Sequence, residues 1–256
     1  MVGPRIGICT TNYNCGHALR RHLDSIYSNF EASDFDYVCV DNHSTDGSMT
    51  ILSEQESLHS NFRWVQRRCS MGAGRELASR LSSAPHILIV DTDTVYFPIL
   101  RKFVDRVLLE HEDVAVQAIY AGVFPRNLWV QVGGRRDLNV GEDLDMWMRI
   151  WKTGRMRWYP LPMGENLKER NSRDGLDYFS ERYSKGERLV RFVRGQIDEV
   201  KVSPYRRLDL EGIWQSNSVD LRLGETRDSW FSSHPRGSLV DWLLASGRSV
   251  LRILEG

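Results

Sequence analysis

The chain lacks the features that would commit it to several common protein classes. Only four of its 256 residues are cysteines (Cys9, Cys15, Cys39 and Cys69), and no two form a C-x-x-C pair. A zinc site is therefore not expected, and a reducing cytoplasm is the simplest setting. Cys9 and Cys39 fall inside apolar runs and read as buried core thiols, while Cys15 and Cys69 fall in predicted loops. Net charge is also missing: 34 Lys and Arg balance 34 Asp and Glu. No overall field draws the chain to nucleic acid. No run of 18 apolar residues occurs, so no transmembrane helix is expected. The first residues lack the apolar stretch of a signal peptide. Disorder is excluded from the other side, because 41% of the residues are hydrophobic. The length suits one large domain, or one domain with an appendage.

What is present is alternation. Arg5–Thr10, Asp36–Val40, Phe62–Gln66, His86–Val90 and Val114–Tyr120 read as strands. Helical patterns over Gly16–Ser28, Gly47–Leu58, Ala73–Ser83 and Ile99–Glu110 separate them, with Pro98 at the start of the last. Strands and helices of this length in alternation predict β-α-β units and a mainly parallel sheet flanked by helices. After Pro125 the pattern changes. Leu128–Val132 reads as a short strand, Glu142–Lys152 as a helix and Met156–Leu161 as a strand. Residues Gly164 to Glu187 are polar, which fits either a loop over substrate or a solvated connector. Ser238–Leu254 carries helix-spaced apolar residues with Arg248 and Arg252 between them. Packing on the parent domain, a peripheral membrane contact and a homodimer contact are all open for this segment. The division expected is 1–165 for the alternating α/β unit and 166–256 for a C-terminal, mostly helical or irregular extension.

Chemistry concentrates at strand ends. Asp91-Thr92-Asp93 follows the apolar run His86–Val90, at the carboxyl end of a predicted buried parallel strand. Ligands bind at that end in open α/β sheets. Two hard oxygen donors there suit Mg²⁺ or Mn²⁺, and a cation so held suits a diphosphate. Acids at strand ends also cap helices and solvate loops, so this pair alone does not decide. Thr11 and Asp41 end two further strands, and that recurrence supports one crevice along the sheet edge.

Five segments resemble, in order and approximate spacing, those of family-2 glycosyltransferases of the GT-A (Rossmann-like) fold. They are Ile6–Asn14, Val40–Ser48, Gly72-Ala73-Gly74-Arg75, Asp91-Thr92-Asp93, and Gly133-Gly134 followed by Gly141–Asp145 with Arg149. The resemblance runs from about residue 5 to residue 160. It implies an inverting, metal-dependent transfer of one sugar from a UDP- or GDP-linked donor to a hydroxyl acceptor. That acceptor would be glycan, lipid-linked or protein-linked.

Residue by residue, the resemblance implies a donor site of Thr10, Thr11, Tyr13, Asp41, Gly72, Arg75, Asp91, Thr92 and Asp93. Asp41 would accept a hydrogen bond from the base, against which Tyr13 would pack. Asp93 would bind Mn²⁺ or Mg²⁺ directly, and Asp91 would reach the ribose or the metal through water. Asp143 would be the general base, with Glu142 orienting the acceptor. On the residues alone, Asp41 could equally cap a turn, Tyr13 fill a core, Arg75 lie solvated and Asp143 open a helix. One departure concerns the stretch Tyr159–Asn166, where relatives often carry a histidine and this chain has none. Glu165 or Asn166 could supply oxygen there instead. Two rivals stand beside this reading. A sugar-phosphate nucleotidyltransferase would need a glycine- and basic-rich phosphate loop, which Thr10–Asn14 lacks. A non-catalytic nucleotide-sugar-binding protein would not need both Asp93 and Asp143.

Overall fold

A computed structural model describes residues 3–167, 183–206, 208–219 and 221. Seven strands form the central sheet: β1 (Ile6–Asn12), β2 (Phe35–Asp41), β3 (Phe62–Gln66), β4 (His86–Val90), β6 (Ala115–Ile119), β7 (Ala121–Pro125) and β8 (Met156–Pro162). Their spatial order is β3-β2-β1-β4-β7-β6-β8. Pairings across β3, β2, β1 and β4 are parallel, β7 runs antiparallel between β4 and β6, and β8 returns parallel to β6. Two further strands, β5 (Thr94–Tyr96) and β9 (Gly164–Asn166), form a small antiparallel ladder. The expected boundary at 165 therefore falls inside β9.

Helices cover both faces of the sheet. They are α1 (Gly16–Asn29), α2 (Ser48–Leu58), α3 (Met71–Leu81), α4 (Ile99–Glu110), α5 (Arg126–Gln131), α6 (Glu142–Trp151), α7 (Lys185–Arg206) and α8 (Leu210–Ser216). Each of the early ones follows its apolar spacing. In α1, Leu19, Leu23 and Ile26 lie on one buried stripe, and in α4 Leu100, Phe103, Val104 and Val107 do the same. These residues join Ile8, Leu88 and Val123 in one core, while Trp147, Trp158 and Phe124 anchor a second. A fully buried aliphatic or Phe side chain contributes about 1.5–3 kcal/mol, so the two clusters dominate the cohesion of the sheet. Cys9 and Cys39 are buried as expected, and none of the four cysteines forms a disulfide.

Three expectations are corrected. Residues 128–132 are not a strand, because α5 occupies 126–131. Pro125 ends β7, the Arg126 amide donates to the Pro85 carbonyl, and the adjacent Leu128 and Trp129 both turn inward, as a helix permits and a strand does not. The apolar stretch read as one strand ending at Tyr120 continues as a hairpin. Tyr120 takes a φ of 66° and turns β6 into β7. Thirdly, the ends of the polar segment Gly164–Glu187 are regular structure, β9 and the start of α7. Residues 168–182 and the apolar segment Ser238–Leu254 lie outside the described residues. Among the described residues, no helix is long and apolar enough to cross a membrane.

Candidate active site

The carboxyl ends of β2, β1 and β4 stand side by side, because those strands are neighbours in parallel. Asp41, Thr11 and Asp91 therefore share one edge of the sheet. Asp41 is fully buried. Its Oδ1 accepts from Asn12 Nδ2 at 2.8 Å and from Ser44 Oγ at 2.6 Å, and its Oδ2 accepts from the Ser44 amide at 2.9 Å. Both oxygens thus turn toward protein groups that set the turns after β1 and β2. Asn42 Oδ1 accepts from the Cys69 amide at 3.0 Å and ties the second turn to the loop before α3. Thr10 is also fully buried, and its hydroxyl donates to the Val90 carbonyl at 2.7 Å. It joins β1 to β4 and does not face the crevice. Thr92 is buried with its hydroxyl 3.4 Å from the Thr11 carbonyl.

Helix α3 starts on Ser70, whose hydroxyl accepts from the Ala73 amide. Gly72 lies where a Cβ would run into the Arg136 carbonyl, and its amide donates to the Leu138 carbonyl. Close backbone approach explains the glycine. One turn on, Arg75 is buried, its side chain 5% exposed. Its Nη1 donates to Glu142 Oε1 at 2.8 Å and lies 3.3 Å from both Asp143 oxygens, while Nη2 pairs with Asp91 Oδ1. The solvated-helix alternative for Arg75 is overturned. Burial opposes its charge, but Asp143, Asp91 and Glu142 more than offset that and hold its proton more firmly than usual.

Arg135 is the residue that sequence reasoning missed. Its side chain is fully buried, with Nη1 2.6 Å from Asp143 Oδ1 and the guanidinium 5.7 Å from the centre of the Trp129 ring. Its position comes from Gly134, at φ 66°, where a Cβ would strike the Glu76 carboxylate. That carboxylate accepts from the Arg135 amide and from Trp129 Nε1, each at 2.9 Å. The available signal is that Arg135 directly follows Gly133-Gly134.

The two acids at the start of α6 are driven apart. Burial raises the Asp143 carboxyl, yet Arg135 and Arg75 outweigh burial and hold it below the usual range. Burial and the neighbouring Asp143 charge push Glu142 up, against the pull of both arginines. Such splitting of paired carboxyls is how one site separates a proton-holding group from an ionised one. Asp143 is the more accessible of the two, with side-chain exposures of 33% against 7%.

Asp93 lies on the β4–β5 turn and is buried. Its Oδ1 accepts from Asn166 Nδ2 at 3.1 Å, and its carbonyl accepts from the Leu167 amide at 2.8 Å. Among the described residues, no three His, Cys, Asp or Glu side chains converge to hold a metal. Two carboxylates still fit a hard cation that brings diphosphate oxygens and water as its other ligands.

Beside this cluster opens a cleft of about 1100 Å³, bordered by Tyr13, Arg67, Arg68, Ser70, Tyr183 and Arg191 among others. Tyr13 stacks on Tyr183 with ring centres 5.2 Å apart, and its hydroxyl pairs with Glu187. Arg67 and Arg68 went unassigned in the sequence, although a basic pair just after a strand end was a usable signal.

A mainly parallel, helix-flanked sheet with acids at the ends of β2 and β4 and a carboxylate pair opening a later helix is the GT-A architecture. The Glycosyl transferase family 2 profile matches residues 7–167, and the chain belongs to that family. Over 93 residues it is 30% identical to a poly(ribitol-phosphate) beta-glucosyltransferase of Bacillus spizizenii, covering 35% of this chain and 15% of that one. Among solved structures it is similar to the mannosyltransferase PcManGT from Pyrobaculum calidifontis in complex with GDP-Man and Mn²⁺. The TM-score is 0.58 and the identity 19%, over 98% of this chain and 81% of that one. It is also similar to S. aureus TarS 1-349 in complex with UDP-GlcNAc, with a TM-score of 0.54 and 16% identity over 60% of this chain and 55% of that one. Likenesses at these identities establish the fold.

Proposed function

We propose that the protein is an inverting glycosyltransferase. It moves one sugar from a nucleoside-diphosphate donor, UDP- or GDP-linked, to a hydroxyl acceptor. The observation that carries this reading is the Arg75 guanidinium, which touches Asp91 on one side and Glu142 and Asp143 on the other. Asp91 after β4 and the α6 acids thereby belong to one cluster. Residues 1–165 form the donor-binding and catalytic part, and 166–256 an extension whose Tyr183 and Glu187 stand against Tyr13.

Tyr13 packs on the base and Thr11 lines the same pocket. The expected base contact of Asp41 needs a carboxylate edge toward the crevice, whereas here its oxygens serve Asn12 and Ser44. Asp93, with Asp91, would hold Mn²⁺ or Mg²⁺. Once bound, that cation offsets the negative charge that grows on the departing diphosphate. Asp143 takes the acceptor hydroxyl proton as the oxygen bonds to the anomeric carbon and the bond to the diphosphate oxygen breaks. Held low by two arginines, Asp143 is a weak base in the ground state. It accepts the proton only as the attacking oxygen becomes acidic in the transition state. Glu142 holds Arg75 in place behind it.

The test is Asp143→Asn, a change of one atom in shape. It is expected to fold, keep the thermal shift caused by donor with Mn²⁺, and lose transfer at least about a hundredfold, the scale of general-base catalysis. Transfer at the wild-type rate would remove Asp143 from the reaction.

A further inference from the structure

The cleft beside Tyr13 lies at the carboxyl ends of three parallel strands. Tyr13 follows β1, Asn42 and His43 follow β2, and Arg67 and Arg68 follow β3. Open α/β sheets take their ligands at that edge. Here the start of α7 already reaches into it. Tyr183, two residues before the helix, is buried at 6% exposure with its ring stacked on Tyr13, the planes 24° apart. The Arg191 guanidinium lies 4.3 Å from the centre of the same ring. Stacking against an aromatic ring and an arginine is also how proteins hold a nucleobase.

A second contact fastens the first. Glu187 lies in the first turn of α7, and its Oε2 accepts from the Ser184 amide and hydroxyl, each at 2.8 Å. The Glu187 amide donates in return to Ser184 Oγ at 3.3 Å. This reciprocal cap fixes the helix start. The other oxygen, Oε1, accepts from the Tyr13 hydroxyl across 174 positions of sequence. The Tyr13 bond, followed by those from Ser184, outweighs burial and holds the carboxyl below its ordinary range. Glu187 is therefore ionised at neutral pH, and its bond to Tyr13 is charge-assisted. One carboxylate both starts the helix and pins it to Tyr13.

A base cannot enter between the two rings as they stand. Their centres are 5.2 Å apart, within the roughly 4.5–7 Å of an aromatic pair in direct contact. We propose that Tyr183 is an internal stand-in for the nucleobase: it occupies the face of Tyr13 that the donor base takes, and the donor binds by displacing it. Arg191 would then lie over the base instead. Apparent donor affinity falls by the fraction of molecules in which the slot is open. The inference rests on the base contact given to Tyr13 in the glycosyltransferase reading.

The experiment is calorimetric titration of the full chain with UDP, GDP and inorganic pyrophosphate, each with Mg²⁺. Pyrophosphate has no base to compete with Tyr183. Tyr183→Ala is expected to bind UDP or GDP about three- to tenfold more tightly, the scale of one aromatic pair, with pyrophosphate affinity unchanged. Tyr13→Phe keeps a ring for the base but loses the bond to Glu187, and its nucleotide affinity should rise as well. The proposal is overturned if either variant binds nucleotide no more tightly than wild type; weaker binding in Tyr183→Ala would make Tyr183 a wall of the base site. It is also overturned if pyrophosphate affinity rises in step, which would place the effect at the diphosphate. Tyr13→Ala separates the two readings. Nucleotide binding at wild-type strength in that variant would remove the base from Tyr13 and end both. If Tyr13→Ala loses nucleotide but keeps pyrophosphate, while Tyr183→Ala gains nothing, the stand-in alone fails and the base contact holds.

Discussion

Asn166 reaches Asp93 across 73 positions of sequence, with Nδ2 donating to Oδ1 at 3.1 Å. The contact exists because the three-residue strand β9 pairs with β5, setting Asn166 opposite Thr94. A carboxylate held by such a partner keeps its orientation, which the metal role proposed for Asp93 requires. Loss of a partner of this kind typically costs ten- to a hundredfold in metal affinity. Asn166→Ala should therefore weaken Mn²⁺-supported donor binding about tenfold. Titration of the donor at several Mn²⁺ concentrations checks this; an unchanged Mn²⁺ dependence would separate Asn166 from the metal role given to Asp93.

Arg75 neutralises carboxylates from two distant parts of the chain, and its side chain is almost wholly buried. Removing one partner of a buried ionic cluster leaves charge without compensation, at a cost of about 3–5 kcal/mol. Arg75→Met should lower the urea midpoint accordingly. Arg75→Lys should recover part of that stability, but with a single ammonium it cannot span Asp91 and the α6 acids as the two-armed guanidinium does. A urea midpoint unchanged in Arg75→Met would show that the cluster adds nothing to folding.

Arg135 offers a test of the proposed base through pH. It and Arg75 hold the Asp143 carboxyl low. Arg135→Gln removes one of those charges, so the Asp143 carboxyl rises toward its ordinary range. As the proposed base, Asp143 would act when ionised, and activity would be lost as pH falls through its pKa. The acid limb of the kcat/KM profile should therefore move to higher pH in Arg135→Gln. A purely structural role would lower the profile without moving that limb.

The readable part of this chain and the unreadable part differ physically. His86–Val90 and Ile99–Glu110 match the structure to the residue, because one is a short run of four aliphatic residues behind a histidine and the other follows Pro98 with helix-spaced apolar positions. Arg75, Asp91, Glu142 and Asp143 meet although they come from three separate parts of the chain, a contact that no local pattern announces. The Tyr120 turn was missed because a tyrosine holds a left-handed conformation usually taken by glycine or asparagine. Strands β5 and β9 have three residues each and gain their identity only by pairing across the fold. Thr10 shows the limit of carrying a motif over whole: strand alternation turns its side chain inward to Val90. Arg135 had no apolar period around it to mark it, and its role appears only once Glu76 and Trp129 fix the turn that holds it.

His22 makes the fold itself sensitive to acid. The ring is fully buried on α1, with Nδ1 2.9 Å from the Thr94 carbonyl and Nε2 2.7 Å from the Tyr37 hydroxyl. A carbonyl only accepts, so Nδ1 carries the proton and Nε2 accepts from Tyr37, which requires the neutral ring. Burial drives the pKa down to about 4, with the Thr94 bond and Asp93 opposing only in part. The unfolded ring titrates near 6.5. Between those values the unfolded chain binds the extra proton, so stability rises with pH. The contribution is complete above about pH 6.5 and is lost progressively as pH falls toward about 4. Urea midpoints measured from pH 7.5 down to pH 4.5 should fall in wild type. In His22→Gln the midpoint at pH 7.5 should be lower, but the part of the slope due to this ring should disappear. If the two proteins keep parallel pH dependences, some other group sets the acid sensitivity.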